Sequence, residues 1–175
     1  MVEFTVIVPA RFASLRLPGK PLRDVAGKPL IQRTYETVKT SSATRIVVAT
    51  DDDGISQVVH GFGGEVCLTS VSHQSGTDRV AEAATSLELD ADEIVVNVQG
   101  DEPDMPGALI DQAVEALVAN PSASVATAAT GLDNPGQFID PAVVKVVTDK
   151  KNFALYFSRA GIPFARRAAD GGPDR

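Results

Sequence analysis

The apolar residues of this chain fall into two alternating patterns. Residues 4–10 (FTVIVPA), 45–50 (RIVVAT), 65–69 (EVCLT) and 93–99 (EIVVNVQ) are short, rich in Val and Ile, and nearly continuous in apolar character. Strands buried on both faces read this way. Between them, residues 30–41, 51–61 and 77–87 carry apolar side chains at helical spacing, and a few residues join each stretch to the next. The clearest helix spans 107–121, where Leu109, Ile110, Ala113, Val114 and Leu117 form one stripe and Pro121 stops it. Residues 124–130 and 142–148 are expected as further strands, with 152–159 at an edge. This order predicts an α/β fold, a three-layer sandwich around a mostly parallel, Rossmann-like sheet with right-handed crossovers. Ligands of such sheets collect outside the carboxyl ends of the strands. Three loops are expected to converge there, at 10–22, 72–79 and 99–105.

A chain of 175 residues, 43% of them hydrophobic, is long enough for one substantial core, and a single domain over 1–175 is the expectation. No apolar run approaches the ~20 residues that span a bilayer. The apolar run after Glu3 has no basic leader and no small-residue cleavage pattern, so a cytoplasmic protein is expected. Cys67 is the single cysteine, which leaves no internal disulfide framework and reads as a buried thiol. A net charge of -7 argues against broad contact with nucleic acid or an anionic membrane, both of which need an extended positive field.

The distribution of charge is more informative than its sum. Residues 11–28 hold five of the 16 Lys and Arg (Arg11, Arg16, Lys20, Arg23 and Lys28) against one acid, Asp24, whereas residues 80–144 hold none. A local cationic loop in an acidic protein suits a small, highly charged anion such as a nucleoside triphosphate. The loop is neither a P-loop nor a dinucleotide fingerprint, because Lys20 follows Gly19 but precedes Pro21 and no G-x-G-x-x-G is present. It remains a strand-to-helix loop whose backbone N–H groups and cations can wrap phosphates, with Arg11 and Lys20 at opposite ends.

The other two loops supply different groups. In HQSGTDR (73–79), Ser75 or Thr77 is a natural helix cap; as a binding loop, Ser75 and Gly76 would face the edge of a base with Arg79 behind them. His73 alone reads as a structural or surface histidine. In NVQGDEPDMP (97–106), Asp101 and Glu102 follow a buried strand, and Asp104 is expected to cap the next helix. A triphosphate arrives with Mg2+, which commonly takes one or two carboxylates plus phosphate oxygens, so Asp101 is the natural ligand. The acids of TDDD (50–53) are expected to cap and charge-match a helix start instead.

Taken together, VIVPARFASLRLPGKPL, IVVATDD, HQSGTDR, VNVQGDEP, AVVKVV and ALYFSRAGIPF resemble the 3-deoxy-manno-octulosonate (Kdo) cytidylyltransferases. The resemblance implies the nucleotide-diphospho-sugar transferase superfold, with CTP and Kdo as substrates, Mg2+ as cofactor, CMP-Kdo and pyrophosphate as products for lipopolysaccharide assembly, and a homodimer. Carried over by motif, it assigns substrate binding to Ala10, Arg11, Arg16, Lys20, Ser75, Gly76, Arg79 and Gln99. Arg11, Lys20 and Asp101 would act on the triphosphate, with Asp101 holding magnesium and Gln99 facing the sugar. Members of that family continue beyond the equivalent of Arg175, with a second magnesium-binding aspartate and more of the sugar pocket, so the domain is expected to be incomplete at its C-terminal end and its turnover poor. Two alternatives stay open: a cytidylyltransferase for another acidic sugar, such as 8-amino-Kdo or sialic acid, and a nucleotide-binding module without turnover.

Overall fold

The computed structural model describes residues 2–13 and 17–164. In chain order its elements are β1 (Phe4–Ala10), β2 (Asp24–Val25), β3 (Lys28–Pro29), α1 (Leu30–Val38), β4 (Arg45–Thr50), α2 (Asp53–Gly61), β5 (Glu65–Leu68), α3 (Gly76–Ser86), β6 (Ile94–Asn97), α4 (Gly107–Ala119), α5 (Pro135–Ile139), β7 (Lys145–Thr148) and β8 (Ala154–Ser158). They group into two compact units, Met1–Ala126 and Thr127–Arg175.

The first unit is built on a four-stranded sheet of order β5-β4-β1-β6, with every pairing parallel. All seven residues of β1 are buried, as its central position requires. Side chains alternate across the sheet. Phe4, Val6 and Val8 pack with Ile31, Tyr35 and Val38 of α1, Ile55 and Val59 of α2, and Ile110 and Val114 of α4. Ile7, Val47, Ala49 and Cys67 face the other way and pack with Val80 and Ala83 of α3. The expected three layers are therefore present.

The strand order also explains why α3 stands alone on its face. The chain moves outward from β1 through β4 to β5, then returns to the far side of β1 at β6. Reversing direction while keeping right-handed crossovers puts the connecting helix on the opposite face. The reversal leaves a crevice at the carboxyl ends of β1 and β6, the switch point where such sheets bind ligands.

Several expected boundaries shift. The first helix ends at Val38 rather than at residue 41, because Thr40 and Ser41 turn their hydroxyls back onto the carbonyls of Thr37 and Val38, both at 2.7 Å. Residues 124–130 form no strand: this Ala/Ser/Thr-rich stretch offers little apolar surface to bury, and Val125 is 79% exposed. Asp104 does not cap α4; Pro106 occupies the cap position, with no side-chain cap bond.

The second unit is an antiparallel pair, β7 with β8, preceded by the short α5. Its buried charged residue is Lys145, whose Nζ donates to the carbonyls of Asp140, Val143 and Arg159 at 2.7, 2.6 and 2.7 Å. That stitching explains why the strand expected from residue 142 begins at Lys145. A cavity of about 400 Å³ in this unit is lined by Thr127, Leu132, Val143 and Phe157 among others. Its one charged lining group, Lys145, is already committed to carbonyls.

Candidate functional site

A smaller pocket, about 110 Å³, lies at the switch point and is lined by Pro9, Ala10, Arg11, His73, Gln74, Ser75, Gly76, Arg79 and Gln99. It brings together the end of β1, the start of α3 and the turn after β6. Every site residue expected from the 73–79 loop is in it. Gly76 suits the close approach there: a Cβ would stand 3.0 Å from Gln99 Oε1 and 3.3 Å from Pro9 Cγ, and Gln99 would have to give way to it.

Chain turns deliver the cations. Gly19 adopts φ +68°, a left-handed conformation that glycine takes at little cost, and its N–H donates to the Phe12 carbonyl at 3.0 Å. The loop that leaves β1 is thereby closed on itself, and Lys20 starts a single 3-10 turn, Lys20–Leu22. Its Nζ pairs with Asp101 Oδ2 at 2.5 Å. The residue expected to hold phosphate and the residue expected to hold metal thus hold each other, with side chains 39% and 46% exposed. Arg11 lines the pocket and makes no ion pair among the described residues. Lys28 belongs elsewhere: it pairs with Glu36 on α1 at 2.7 Å. Arg16 lies outside the described residues.

The turn carrying Asp101 is anchored to α1 rather than left to solvent. Glu102 N–H closes onto the Gln99 carbonyl at 3.0 Å. Thr34 and Thr37 donate their hydroxyls to the carbonyls of Gly100 and Pro103 at 3.1 and 2.7 Å. Gln99 itself donates to Asn97 Oδ1 at 2.9 Å. Both threonines were missed in the sequence, where they read as ordinary helix residues.

The loop before α3 is more heavily tied than its composition suggests. Ser75 is the N-cap: its Oγ accepts from Asp78 N at 3.1 Å and donates to Asp78 Oδ2 at 2.7 Å. Arg79 is 2% exposed. Its Nη2 donates to Asp51 Oδ2 at 2.8 Å and its Nη1 to Thr69 Oγ1 at 2.5 Å. The guanidinium thus ties α3 to the ends of β4 and β5. Asp51 was expected only as a charge at a helix start; that part is played by Asp52, whose Oδ1 caps α2 through Ile55 N at 2.8 Å. The second oxygen of Asp51, Oδ1, is buried without a hydrogen-bond partner among the described residues. Breaking such a buried pair from one side costs about 3–5 kcal/mol, so Arg79 is a structural member of the site whatever else it contacts.

His73 and Glu82 complete the loop's ties. His73 Nε2 is hydrogen-bonded to Glu82 Oε2, and the same carboxylate accepts from Ser70 N at 2.9 Å. The His73 bond, followed by the Ser70 N–H, holds the Glu82 carboxyl below the usual glutamate range.

Asp101 is the residue that could hold a magnesium ion. It is accessible, offers two side-chain oxygens and lies two residues beyond the pocket-lining Gln99. No group of three or more His, Cys, Asp or Glu side chains gathers among the described residues, so the fit is to an ion completed by phosphate and water oxygens. No helix among the described residues is long and apolar enough to cross a membrane.

Comparison with known proteins places the chain in a family. A family model described as cytidylyltransferase matches residues 5–170. The 3-deoxy-manno-octulosonate cytidylyltransferase of Hahella chejuensis is 55% identical over 166 residues, which are 95% of this chain and 65% of that protein. The protein of the same name from Vibrio cholerae is 52% identical over 165 residues, 94% of this chain and 65% of its own. The chain thus spans about 65% of the length of these curated relatives. A solved structure of CMP:2-keto-3-deoxy-manno-octonic acid synthetase complexed with CTP matches with a TM-score of 0.80 at 36% identity, covering 96% of this chain and 68% of that one. On the family match over residues 5–170 and the identity of these relatives, the chain belongs to the cytidylyltransferase family.

Proposed function

We propose that this chain carries the nucleotide-binding half of an enzyme that transfers CMP from CTP to the anomeric hydroxyl of Kdo, releasing pyrophosphate. The carrying observation is the convergence of Arg11, Ser75, Gly76 and Gln99 on one pocket at the switch point, with the Lys20–Asp101 pair beside it in sequence. The relatives' names and the CTP-bound neighbour support the nucleotide and sugar classes.

In this reading Arg11 and Lys20 bind the triphosphate through charge-assisted contacts, Lys20 exchanging Asp101 for a phosphate oxygen. The turn at Ser75 and Gly76 faces the base, Arg79 fixes that turn from behind, and Ala10 and Gln99 border the space left for the sugar. The anomeric oxygen attacks the α-phosphorus, the bond to the α,β-bridging oxygen breaks, pyrophosphate leaves and the hydroxyl proton passes to water. Arg11 and Lys20 oppose the charge that grows on the transferred and leaving phosphates. Asp101 would hold Mg2+, which when bound supplies further positive charge against the phosphate oxygens. No covalent protein intermediate is needed. Location in the cytoplasm and assembly as a homodimer belong to the same proposal, supported by family resemblance.

Pyrophosphate release is the test, run with CTP, Mg2+ and Kdo beside 8-amino-Kdo and sialic acid. Release with Kdo, even well below the ~10 per second of a median enzyme, supports the proposal. A faster reaction with another sugar reassigns the substrate, and tight CTP binding without release from any sugar leaves a nucleotide-binding module.

A further inference from the structure

We infer that His73 and Glu82 are positioning residues for base selection: a clasp across the foot of the nucleotide pocket holds the Ser75–Gly76 turn where it can tell cytosine from uracil. The inference rests on the pocket being the nucleotide site.

The argument starts from what Ser75 has left to offer. Its hydroxyl accepts from Asp78 N and donates its one proton to Asp78 Oδ2, so Ser75 has no side-chain donor left for a base. Main-chain donors at the start of α3 remain. The N–H groups of Gly76 and Thr77, first in α3, have no acceptor within the helix. Selectivity through main-chain groups depends on where the backbone sits, because a shift of a few tenths of an ångström moves donors and acceptors together. Gly76 lies close to Gln99 and Pro9, where an added Cβ would stand 3.0 and 3.3 Å from their side chains.

The position of this backbone is set from two ends. At the helix end it is fixed by the Ser75 cap and by Arg79, which donates to Asp51 and Thr69. At the loop end Thr69 is held by Arg79 and by the Thr50 carbonyl, and residues 70–73 are held to the helix by Glu82, one helical turn past Asp78. That carboxylate takes Ser70 N with one oxygen at 2.9 Å and the other at 3.2 Å, and His73 Nε2 besides. The remaining loop bonds, Ser72 N to Ser70 Oγ at 3.1 Å and Gln74 Nε2 to the Ser72 carbonyl at 3.2 Å, are internal and move with the loop. His73 both touches the helix, through Glu82, and lines the pocket. Its side chain is 19% exposed, that of Glu82 33%, so the contact is shielded enough to hold a geometry. The depressed Glu82 carboxyl accords with a carboxylate committed to these donors.

The test compares base selectivity with phosphate affinity in the 175-residue chain. Calorimetry measures CTP, UTP and inorganic tripolyphosphate against the parent, His73→Ala, His73→Gln and Glu82→Gln, after thermal melts establish that each variant is folded. The parent is expected to favour CTP over UTP. His73→Ala should shrink that ratio by about fivefold to tenfold, the worth of one net hydrogen bond, with tripolyphosphate affinity unchanged. His73→Gln, whose amide nitrogen can still donate to Glu82, should keep most of the ratio. A parent that favours CTP beside a His73→Ala variant with the same ratio overturns the clasp and leaves the base-site reading standing. Equal losses for CTP, UTP and tripolyphosphate in His73→Ala and Glu82→Gln also overturn it, since they report general damage. A parent that binds CTP and UTP equally overturns the base-site reading and the clasp together.

Discussion

Lys20 and Asp101 occupy each other in the ligand-free chain, and this arrangement makes an unusual demand on the Asp101→Asn variant. Removing a proposed metal ligand should weaken nucleotide binding when Mg2+ is present, yet strengthen it when Mg2+ is absent. In the parent without metal, a triphosphate must draw Lys20 away from a carboxylate 2.5 Å distant and then sit beside that carboxylate's charge. Both side chains are about two-fifths exposed, so screening limits the pair to roughly 0–1 kcal/mol. At 1.4 kcal/mol per tenfold, releasing it raises metal-free CTP affinity by at most about fivefold. With Mg2+ the sign reverses, because the parent gains a ligand that the amide lacks. Lys20→Ala, by contrast, forfeits a charge-assisted contact of roughly 1.5–3 kcal/mol and should lose tenfold or more under both conditions. Titrating CTP calorimetrically into the parent and both variants, once in chelator and once in millimolar Mg2+, reads all four comparisons. Glu102→Gln is the control, since it removes a neighbouring negative charge without touching the pair. The reasoning fails if Asp101→Asn binds metal-free CTP no better than the parent, or if Glu102→Gln reproduces its gain in full.

Two further outcomes follow from contacts outside the pocket. Lys145→Met keeps the aliphatic stem but strips a partner from three carbonyls. It should loosen the second unit by roughly 1.5–3 kcal/mol, the worth of a hydrogen bond to a charged group, since Asp140 and Arg159 are exposed and their carbonyls can turn to water. Amide exchange at Val146 and Val147 would then speed up at least tenfold while β1 and β4 stay protected, and unchanged exchange there refutes the assignment. Glu36 is held below the usual glutamate range by Lys28 first and Gln32 second. A depressed folded pKa gives stability that is present above the unfolded value, about 4.3, and fades as pH falls through the folded one. Glu36→Gln should therefore melt below the parent at neutral pH and approach it as the pH falls; a gap that does not shrink below about pH 4.3 contradicts this.

The fold was legible because its strands are buried on both faces and carry that burial as unbroken apolar runs. Residues 4–10 were located to the residue, as was the strand at 45–50. Errors gathered where short polar side chains decide the outcome. Hydroxyls of Thr40 and Ser41 ended a helix that spacing alone would have extended. The Ala-rich stretch at 124–130 reads as a strand by its place after a helix but has too little apolar area to hold one in place. Pro106 took the cap expected of Asp104, a choice made by the path of the chain into α4 rather than by side-chain preference.

At the site, segments singled out by their motifs meet at one pocket, but the motifs do not separate side chains open to a ligand from those that hold the segments still. HQSGTDR contributes both kinds. His73, Ser75 and Arg79 are each bonded to protein groups, to Glu82, Asp78 and the Asp51–Thr69 pair respectively. Two of these partners, Asp51 and Thr69, lie in other strand ends, and no spacing rule within the motif could have found them. The basic cluster divides similarly: Arg11 faces the pocket and Lys20 meets Asp101, whereas Lys28 is spent on α1. A polar side chain with its hydrogen bonds already satisfied inside the fold gains little by meeting a ligand, since each new contact costs an old one. On the proposed reading, chemistry therefore falls to Arg11, which makes no ion pair among the described residues, to the exposed Lys20–Asp101 pair, and to main-chain donors at Gly76 and Thr77. The satisfied residues act one step back, and their loss should blur which nucleotide is chosen before it abolishes the binding of phosphate.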